Sequence, residues 1–178
     1  MKYVALLRGI NVGGKKLMKM AAVRECLEGR GFQHVTTYIQ SGNVLFESNK
    51  SDVAGLTAAL EKAFSATFGH KVPVFLRSHA QLKKIVTKAP AAWKTGQRAL
   101  RQNVAFLRPP LTATRALAEI DPKPGVDSVD AGDGVVYMST VISRLTQSRL
   151  PKIVGTPIYA DITIRSYSTC QKILALME

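Results

Sequence analysis

The chain opens on an apolar run, Tyr3–Leu7, that breaks at Arg8 into Gly9-Ile-Asn-Val-Gly-Gly14-Lys-Lys16. That profile predicts a strand, Tyr3–Arg8, emptying into a glycine-rich loop. From Met18 to Gly29 the apolar residues Met20, Val23, Cys26 and Leu27 share one helical face, and Gly31 follows as a stop. His34–Ile39 and Val44–Phe46 read as two strands around Ser41-Gly42-Asn43, a hairpin signal. Ser51 is placed to cap a long helix whose apolar positions are Val53, Leu56, Leu60, Ala63, Phe64 and Phe68, ended by Gly69. Val72–Arg77 then closes the unit as a strand. The order is βαββαβ, the ferredoxin-like pattern.

A basic helix, His79–Lys88, stopped by Pro90, and a linker around Lys94–Gln102 lead to a second copy of the theme. Asn103-Val-Ala-Phe-Leu-Arg108 echoes Tyr3-Val-Ala-Leu-Leu-Arg8 at an offset of 100, and Asp133-Gly-Val-Val-Tyr-Met-Ser139 echoes Gly42-Asn-Val-Leu-Phe-Glu-Ser48 at an offset of 91. Helices are expected near Thr112–Ile120 and Arg149–Val154. A strand is expected at Ile158–Arg165, where Ile158, Ala160, Ile162 and Ile164 face one way. The chain then ends in a helix with Cys170, Ile173, Leu174 and Met177 on one face. Matching element order favours duplication. The expected class is α+β: two ferredoxin-like units, residues 1–78 and 103–178, with mainly antiparallel sheets, a basic helix and linker over 79–102, and a C-terminal helix.

Composition narrows the function classes. A chain of 178 residues, 46% hydrophobic, supports a packed core rather than disorder. No apolar run approaches the roughly 18 residues of a membrane span, and the N-terminus does not read as a signal peptide, so a cytoplasmic protein without a membrane partner is expected. Cys26 and Cys170 both fall on apolar helical positions and read as reduced core thiols. Net charge is +13 and unevenly spread: residues 1–100 hold 16 Lys/Arg against 5 Asp/Glu, residues 101–178 hold 9 against 7. The basic half favours an anionic partner.

In a ferredoxin-like unit the loop after strand one, the hairpin between strands two and three, and the loop before strand four leave the same edge of the sheet. That edge gathers Arg8, Asn11, Gly13, Gly14, Lys15 and Lys16, then Tyr38, Gln40, Ser41 and Asn43, and Gly69-His-Lys71. Glycine backbone, several amides and a few cations suit a phosphate or carboxylate. Gly9, Gly14 and Lys15 even satisfy the spacing of a nucleotide phosphate loop, but Lys16 stands where a Ser or Thr would hold magnesium. In the second unit Pro109-Pro110 replaces the glycines. Asp127, Asp130 and Asp133 lack the spacing of a calcium loop and read as a turn. Arg165-Ser-Tyr-Ser-Thr169 joins the last strand to the last helix, with Ser166 or Ser168 as the cap and Arg165 beside the helix start. His34, His70 and His79 are scattered, metal-ligand spacing is absent, and no motif asks for a cofactor. Aromatic residues are too few for a base-stacking ladder.

Leu6-Leu-Arg-Gly-Ile-Asn-Val-Gly-Gly-Lys15 and Thr37-Tyr-Ile-Gln-Ser-Gly-Asn-Val44 closely resemble the bacterial domain-of-unknown-function family 1697. The resemblance implies an α+β fold of two ferredoxin-like halves and no established activity. Near the C-terminus that family typically shows Arg-Asn-Trp-Asn-Thr. Here Arg165 and Thr169 are kept, without the amides or the indole.

The expectation is a protein that holds a phosphate- or carboxylate-bearing small molecule at the N-terminal loop, with Arg165 and Thr169 as further contacts. Whether a reaction follows is not written in the sequence, and neither is the oligomeric state. Two alternatives stand beside it: sequence-indifferent nucleic-acid binding through the basic half, and an interaction protein without a ligand.

Overall fold

Alternation along the first strand, β1 (Lys2–Leu7), sends Tyr3, Ala5 and Leu7 into one core and leaves Val4 and Leu6 on the opposite face, which is buried as well. Helix α1 (Met20–Glu28) covers the first face with Val23, Cys26 and Leu27, and α2 (Val53–Phe68) covers it with Leu56, Leu60, Ala63 and Phe64. Strands β2 (Gln33–Tyr38), β3 (Asn43–Glu47) and β4 (Val74–Ser78) complete a four-stranded antiparallel sheet in the order β2-β3-β1-β4. The computed structural model describes residues 1–14, 17–95 and 99–178. It divides into two compact units, Met1–Leu82 with Ile173–Glu178, and Lys83–Lys172.

Helix α2 is capped by Asp52 rather than Ser51: the Asp52 carboxylate accepts from the Gly55 N–H at 3.0 Å. Asp52 keeps an extended backbone (φ −73°, ψ 96°), so the helix starts at Val53 and the cap falls on Asp52. Gly69 ends the helix in the left-handed conformation (φ +73°), as expected.

The second unit repeats the sheet. Strands β5 (Leu100–Leu107), β6 (Asp127–Gly132), β7 (Val135–Val141) and β8 (Ile162–Ser166) run antiparallel in the order β6-β7-β5-β8, with α5 (Ala113–Glu119) between β5 and β6. The expected helix at 149–154 is absent. Between β7 and β8 stand three 3-10 turns, Ile142–Gln147, Leu150–Gly155 and Pro157–Asp161. Pro151, Gly155 and Pro157 interrupt the segment too often for an α-helical ladder, because proline offers no N–H. The last strand therefore starts at Ile162 rather than Ile158, and Ile158 reaches the core from a turn.

Helices α3 (His79–Thr87) and α4 (Ala91–Lys94) occupy the basic segment, and β5 already starts at Leu100, so the linker is shorter than expected. Helix α6 (Tyr167–Met177) closes the chain.

Register refines the duplication. The Leu7 N–H donates to the Gly42 carbonyl at 2.8 Å, and the Leu107 N–H donates to Gly134 at 3.0 Å. Gly42 thus corresponds to Gly134, an offset of 92, one more than the sequence echo gives. The correspondence extends past the fourth strands. Ser78 Oγ accepts from the Gln81 N–H and Ser166 Oγ from the Thr169 N–H, each at 3.2 Å, so both units leave their sheet through an Arg-Ser step into a helix.

Candidate functional site

Strand β1 ends where Leu6 faces Asn43 and Leu7 faces Val74, so its outgoing loop, the β2–β3 hairpin and the segment before β4 meet at one end of the first sheet. The Arg8 N–H donates to the Pro73 carbonyl at 3.0 Å and completes that end. The chain then turns through Gly9 (φ +69°) and buries Ile10, whose side chain packs over Gly42. A Cβ on Gly42 would lie 2.6 Å from Ile10 Cδ1, so only glycine lets loop and hairpin approach this closely.

Asn11 ties three chain segments together. Its Oδ1 accepts from the Met18 N–H at 2.7 Å, and its Nδ2 donates to the Met18 carbonyl at 3.0 Å and to the Gln40 carbonyl at 2.9 Å. The side-chain amide acts as an extra peptide group: it closes the neck of the loop at Met18 and pins the neck to the hairpin. Ile10 and Met18, both buried, anchor the neck in the core below. Gly13 (φ +57°) and Gly14 (φ +72°) lie beyond the neck on exposed left-handed backbone.

The hairpin is braced in the same manner. Asn43 is fully buried, and its Nδ2 donates to the Tyr38 carbonyl at 2.9 Å and to Ser41 Oγ at 3.1 Å. Tyr38 is half-buried, while Gln40 and Ser41 are exposed. Arg8, Asn11, Gly13, Gly14, Tyr38, Gln40, Ser41 and Asn43 are therefore brought to one sheet end. The Asn11 and Asn43 amide N–H groups, however, are spent inside the chain. Lys15 and Lys16 lie outside the described residues. His70, on the segment before β4, bonds the Phe68 carbonyl through Nδ1 at 3.0 Å.

Arg165 and Thr169 belong to the second unit. Arg165 is buried, and its Nη1 donates to Thr163 Oγ1 at 3.1 Å and to the Ile164 carbonyl at 2.9 Å. Burial pulls its pKa down to about 10, which still leaves the guanidinium charged at neutral pH. Ser166, not Ser168, caps α6. The Tyr167 hydroxyl donates to the Val86 carbonyl at 3.2 Å and its ring packs edge-on against Trp93. Burial pushes the Cys170 thiol up to about 12 against the opposing pull of Arg165, so it stays protonated and is a poor nucleophile. Both cysteines are free and buried. Among the described residues no cluster of three or more His, Cys, Asp or Glu could hold a metal ion, and no helix is long and apolar enough to cross a membrane.

The acidic segment of the second unit is more than a turn. Asp127 is 7% exposed and accepts from Thr140 Oγ1 (2.8 Å), Ser148 Oγ (2.6 Å), the Arg149 N–H (2.8 Å) and the Lys123 N–H (3.0 Å). Burial alone would raise its pKa, but these four bonds outweigh it and hold the carboxyl below its ordinary value.

A family model described as "Protein of unknown function (DUF1697)" matches residues 1–137. The chain belongs to this family. The chain is also similar to a solved structure, that of the conserved bacterial protein SP0830 from Streptococcus pneumoniae. The two share 27% identity and a TM-score of 0.87, over 99% of this chain and 98% of that one. No curated protein matches. The DUF1697 match takes in the whole β1–α1 loop and the β2–β3 hairpin, whereas Arg165–Thr169 lies beyond it.

Sequence reasoning missed Ile39. It holds a left-handed backbone (φ +53°) that β-branched residues strongly avoid, and it is exposed. No local signal marks it, because the conformation follows from hairpin closure at Asn43.

Proposed function

We propose that the sheet end formed by Arg8–Gly14 and the Tyr38–Asn43 hairpin binds a phosphate- or carboxylate-bearing small molecule in the cytoplasm. One observation carries the reading: Asn11 pins to the hairpin the neck of a loop whose exposed glycines, Gly13 and Gly14, have left-handed backbone. Backbone turned in this way is the raw material of anion-holding concavities. The charge fits, since Met1 to Arg24 contains six Lys/Arg and no Asp/Glu. Lys15 and Lys16 supply cations in this reading, and the ligand's remaining polar groups meet Gln40 and Ser41. Arg165 and Thr169 are left as contacts of the chain with itself. The reading stops at binding and assigns no reaction.

Nucleic-acid binding through the basic half is the competing reading, and one of its cations, Lys84, already pairs with Asp133 at 2.7 Å. A thermal-shift screen of inorganic phosphate, sugar phosphates and organic acids separates the two. A true ligand at 100 times its dissociation constant adds about 2.7 kcal/mol of stability. Lys15→Ala/Lys16→Ala should keep the fold within about 0.5 kcal/mol and weaken binding at least tenfold, about 1.4 kcal/mol. A double variant that binds as the parent does contradicts the site. Binding to duplex DNA that falls steeply with salt, with no small-molecule effect, supports the competing reading.

A further inference from the structure

The opposite end of the first sheet carries a cleft of about 260 Å³. Its walls are the turn from α1 into β2, the end of β3 with the loop after it, and the first turns of α2. Each wall is braced from inside the chain. Arg30 Nη1 donates to the Cys26 carbonyl at 2.8 Å and reaches Cys26 Sγ at 3.2 Å. The Tyr3 hydroxyl donates to the Lys50 carbonyl at 2.8 Å, and the Lys50 N–H donates to Ser48 Oγ at 3.2 Å. Asp52 caps α2 at the Gly55 N–H. Walls held in this way need little ordering when a ligand enters.

The lining combines apolar surface with two opposite charges. Phe32, packed edge-on against Phe46 with ring centroids 4.9 Å apart, joins the buried Leu56 and the small Ala59. Glu47 and Lys50 stand three residues apart in the same lining, and no ion pair joins them. One Glu47 oxygen, Oε2, lies 3.4 Å from Nδ1 of the exposed His34. Among the described residues Glu47 Oε1 and Lys50 Nζ have no hydrogen-bond or ion-pair partner. Arg30, the other cation of the lining, is turned onto Cys26. The cleft therefore offers one negative and one positive group beside hydrocarbon.

We propose that this cleft binds a free amino acid with a large apolar side chain, of the phenylalanine or leucine kind. The ligand's ammonium meets Glu47, its carboxylate meets Lys50, and its side chain lies on Phe32, Leu56 and Ala59. Charge selects the zwitterion. A simple carboxylate would cover Glu47 without pairing it, a simple amine would do the same to Lys50, and a charge covered without a partner costs free energy. Size selects a free amino acid over a peptide or a nucleotide. At about 260 Å³ the cleft falls below the roughly 300–1,000 Å³ that holds drug-sized ligands. The site lies at the far end of the sheet from the Tyr38–Asn43 hairpin and does not depend on anion binding there.

The test is backbone amide NMR on the full chain. The titrants are phenylalanine, leucine, hydrocinnamate, which lacks the ammonium, and phenethylamine, which lacks the carboxylate. Phenylalanine should give saturable shifts at Gly31, Phe32, Ser48 and Asn49, and either truncated compound should bind at least about threefold more weakly. Glu47→Gln should remove the preference for phenylalanine over hydrocinnamate, and Lys50→Gln the preference over phenethylamine. Both side chains reach solvent, so these variants keep the fold. If hydrocinnamate or phenethylamine binds as tightly as phenylalanine, the zwitterion assignment is overturned. If both variants keep the parent's preferences, the ligand's charges do not meet Glu47 and Lys50, and the site is wrong. If neither amino acid moves these amides up to about 10 mM, the cleft is not an amino-acid site. Shifts confined to Gly9, Gln40 and Ser41 would also overturn the proposal, while supporting the anion site at the hairpin.

Discussion

The two sheets end alike, and the loops that leave them do not. In both units the first strand donates its last ladder bond to a hairpin glycine, Gly42 or Gly134, and the next N–H to the segment entering the fourth strand, Pro73 or Asp161. From there the first unit spends residues 8–19 before α1 begins at Met20, and the second spends only residues 108–112 before α5 begins at Ala113. The short loop is all structure: Thr112 caps α5 through the Arg115 N–H, and the Leu111 N–H closes a turn on Arg108. The long loop has a neck, built from Ile10, Asn11 and Met18, and beyond it Val12, Gly13, Gly14 and Leu17 are exposed. A frame used twice, with a long loop after the first strand in one copy and a short turn in the other, points to the long loop as the part the frame itself does not require.

Each unit also has one polar side chain tying several segments, and these differ in kind. Asp127 is charged, buried and surrounded by four donors, and it fixes the 3-10 turns that replace a helix. Asn11 is neutral and half-buried, and it fixes the base of an exposed loop. The largest expected effect follows from that contrast. Asp127→Ala strands two hydroxyls and two backbone N–H groups and should cost about 3 kcal/mol in chemical denaturation, with phosphate binding at the first unit unchanged. The same carboxylate sets an acid limit. Its native pKa lies below the ordinary 3.8, so its contribution is complete above that value and is lost as pH falls through the native value. The wild-type chain should therefore lose stability below pH 3.8 by a component that Asp127→Ala lacks.

Next in size is Gly42→Ala. The new Cβ would meet Ile10 Cδ1 at 2.6 Å and Leu7 Cβ at 2.9 Å on a backbone at φ +78°. A loss of about 2 kcal/mol is expected, accompanied by weaker phosphate binding because the loop is pushed off the hairpin. Asn11→Ala should cost less, about 1–1.5 kcal/mol for a half-buried amide, yet reduce phosphate affinity at least tenfold. A stability loss with unchanged affinity would mean that the knot serves folding alone. Smallest is Ile39→Asn, which should raise stability by about 0.5–1 kcal/mol by relieving the left-handed isoleucine. A stability loss there would show that Ile39 packs as core and does not belong to the exposed edge.

Much of this was legible in the residues. Tyr3-Val-Ala-Leu-Leu and its echo at Asn103 gave the central strands, and Ser41-Gly42-Asn43 gave the hairpin, because alternation and turn chemistry are local. The convergence of loop and hairpin followed from topology once the βαββαβ order was read. The use of Asn11 was not legible: an amide that binds a ligand and one that mimics a peptide group look identical in sequence, and only the position of Met18 and Gln40 decides. The 3-10 turns are not legible as such: the stretch 149–154 reads as a helix, while the cost of Pro151 and Pro157 falls on backbone bonds rather than on the apolar pattern. Ser51 and Asp52 are equally good caps by residue type, and the extended backbone at Asp52, which no local pattern marks, places the cap there.

The central claim is that the sheet end of the first unit binds an anion and its counterpart in the second does not. Backbone amide NMR shifts during titration with butyl phosphate test it directly. The account predicts saturable shifts at Gly9, Ile10, Gly13, Gly14, Gln40 and Ser41, with Leu111, Thr112 and Gly134 unmoved. Equal shifts at both sheet ends, or shifts confined to Lys83 and Lys84 of α3 and Lys88 just after it, would contradict it.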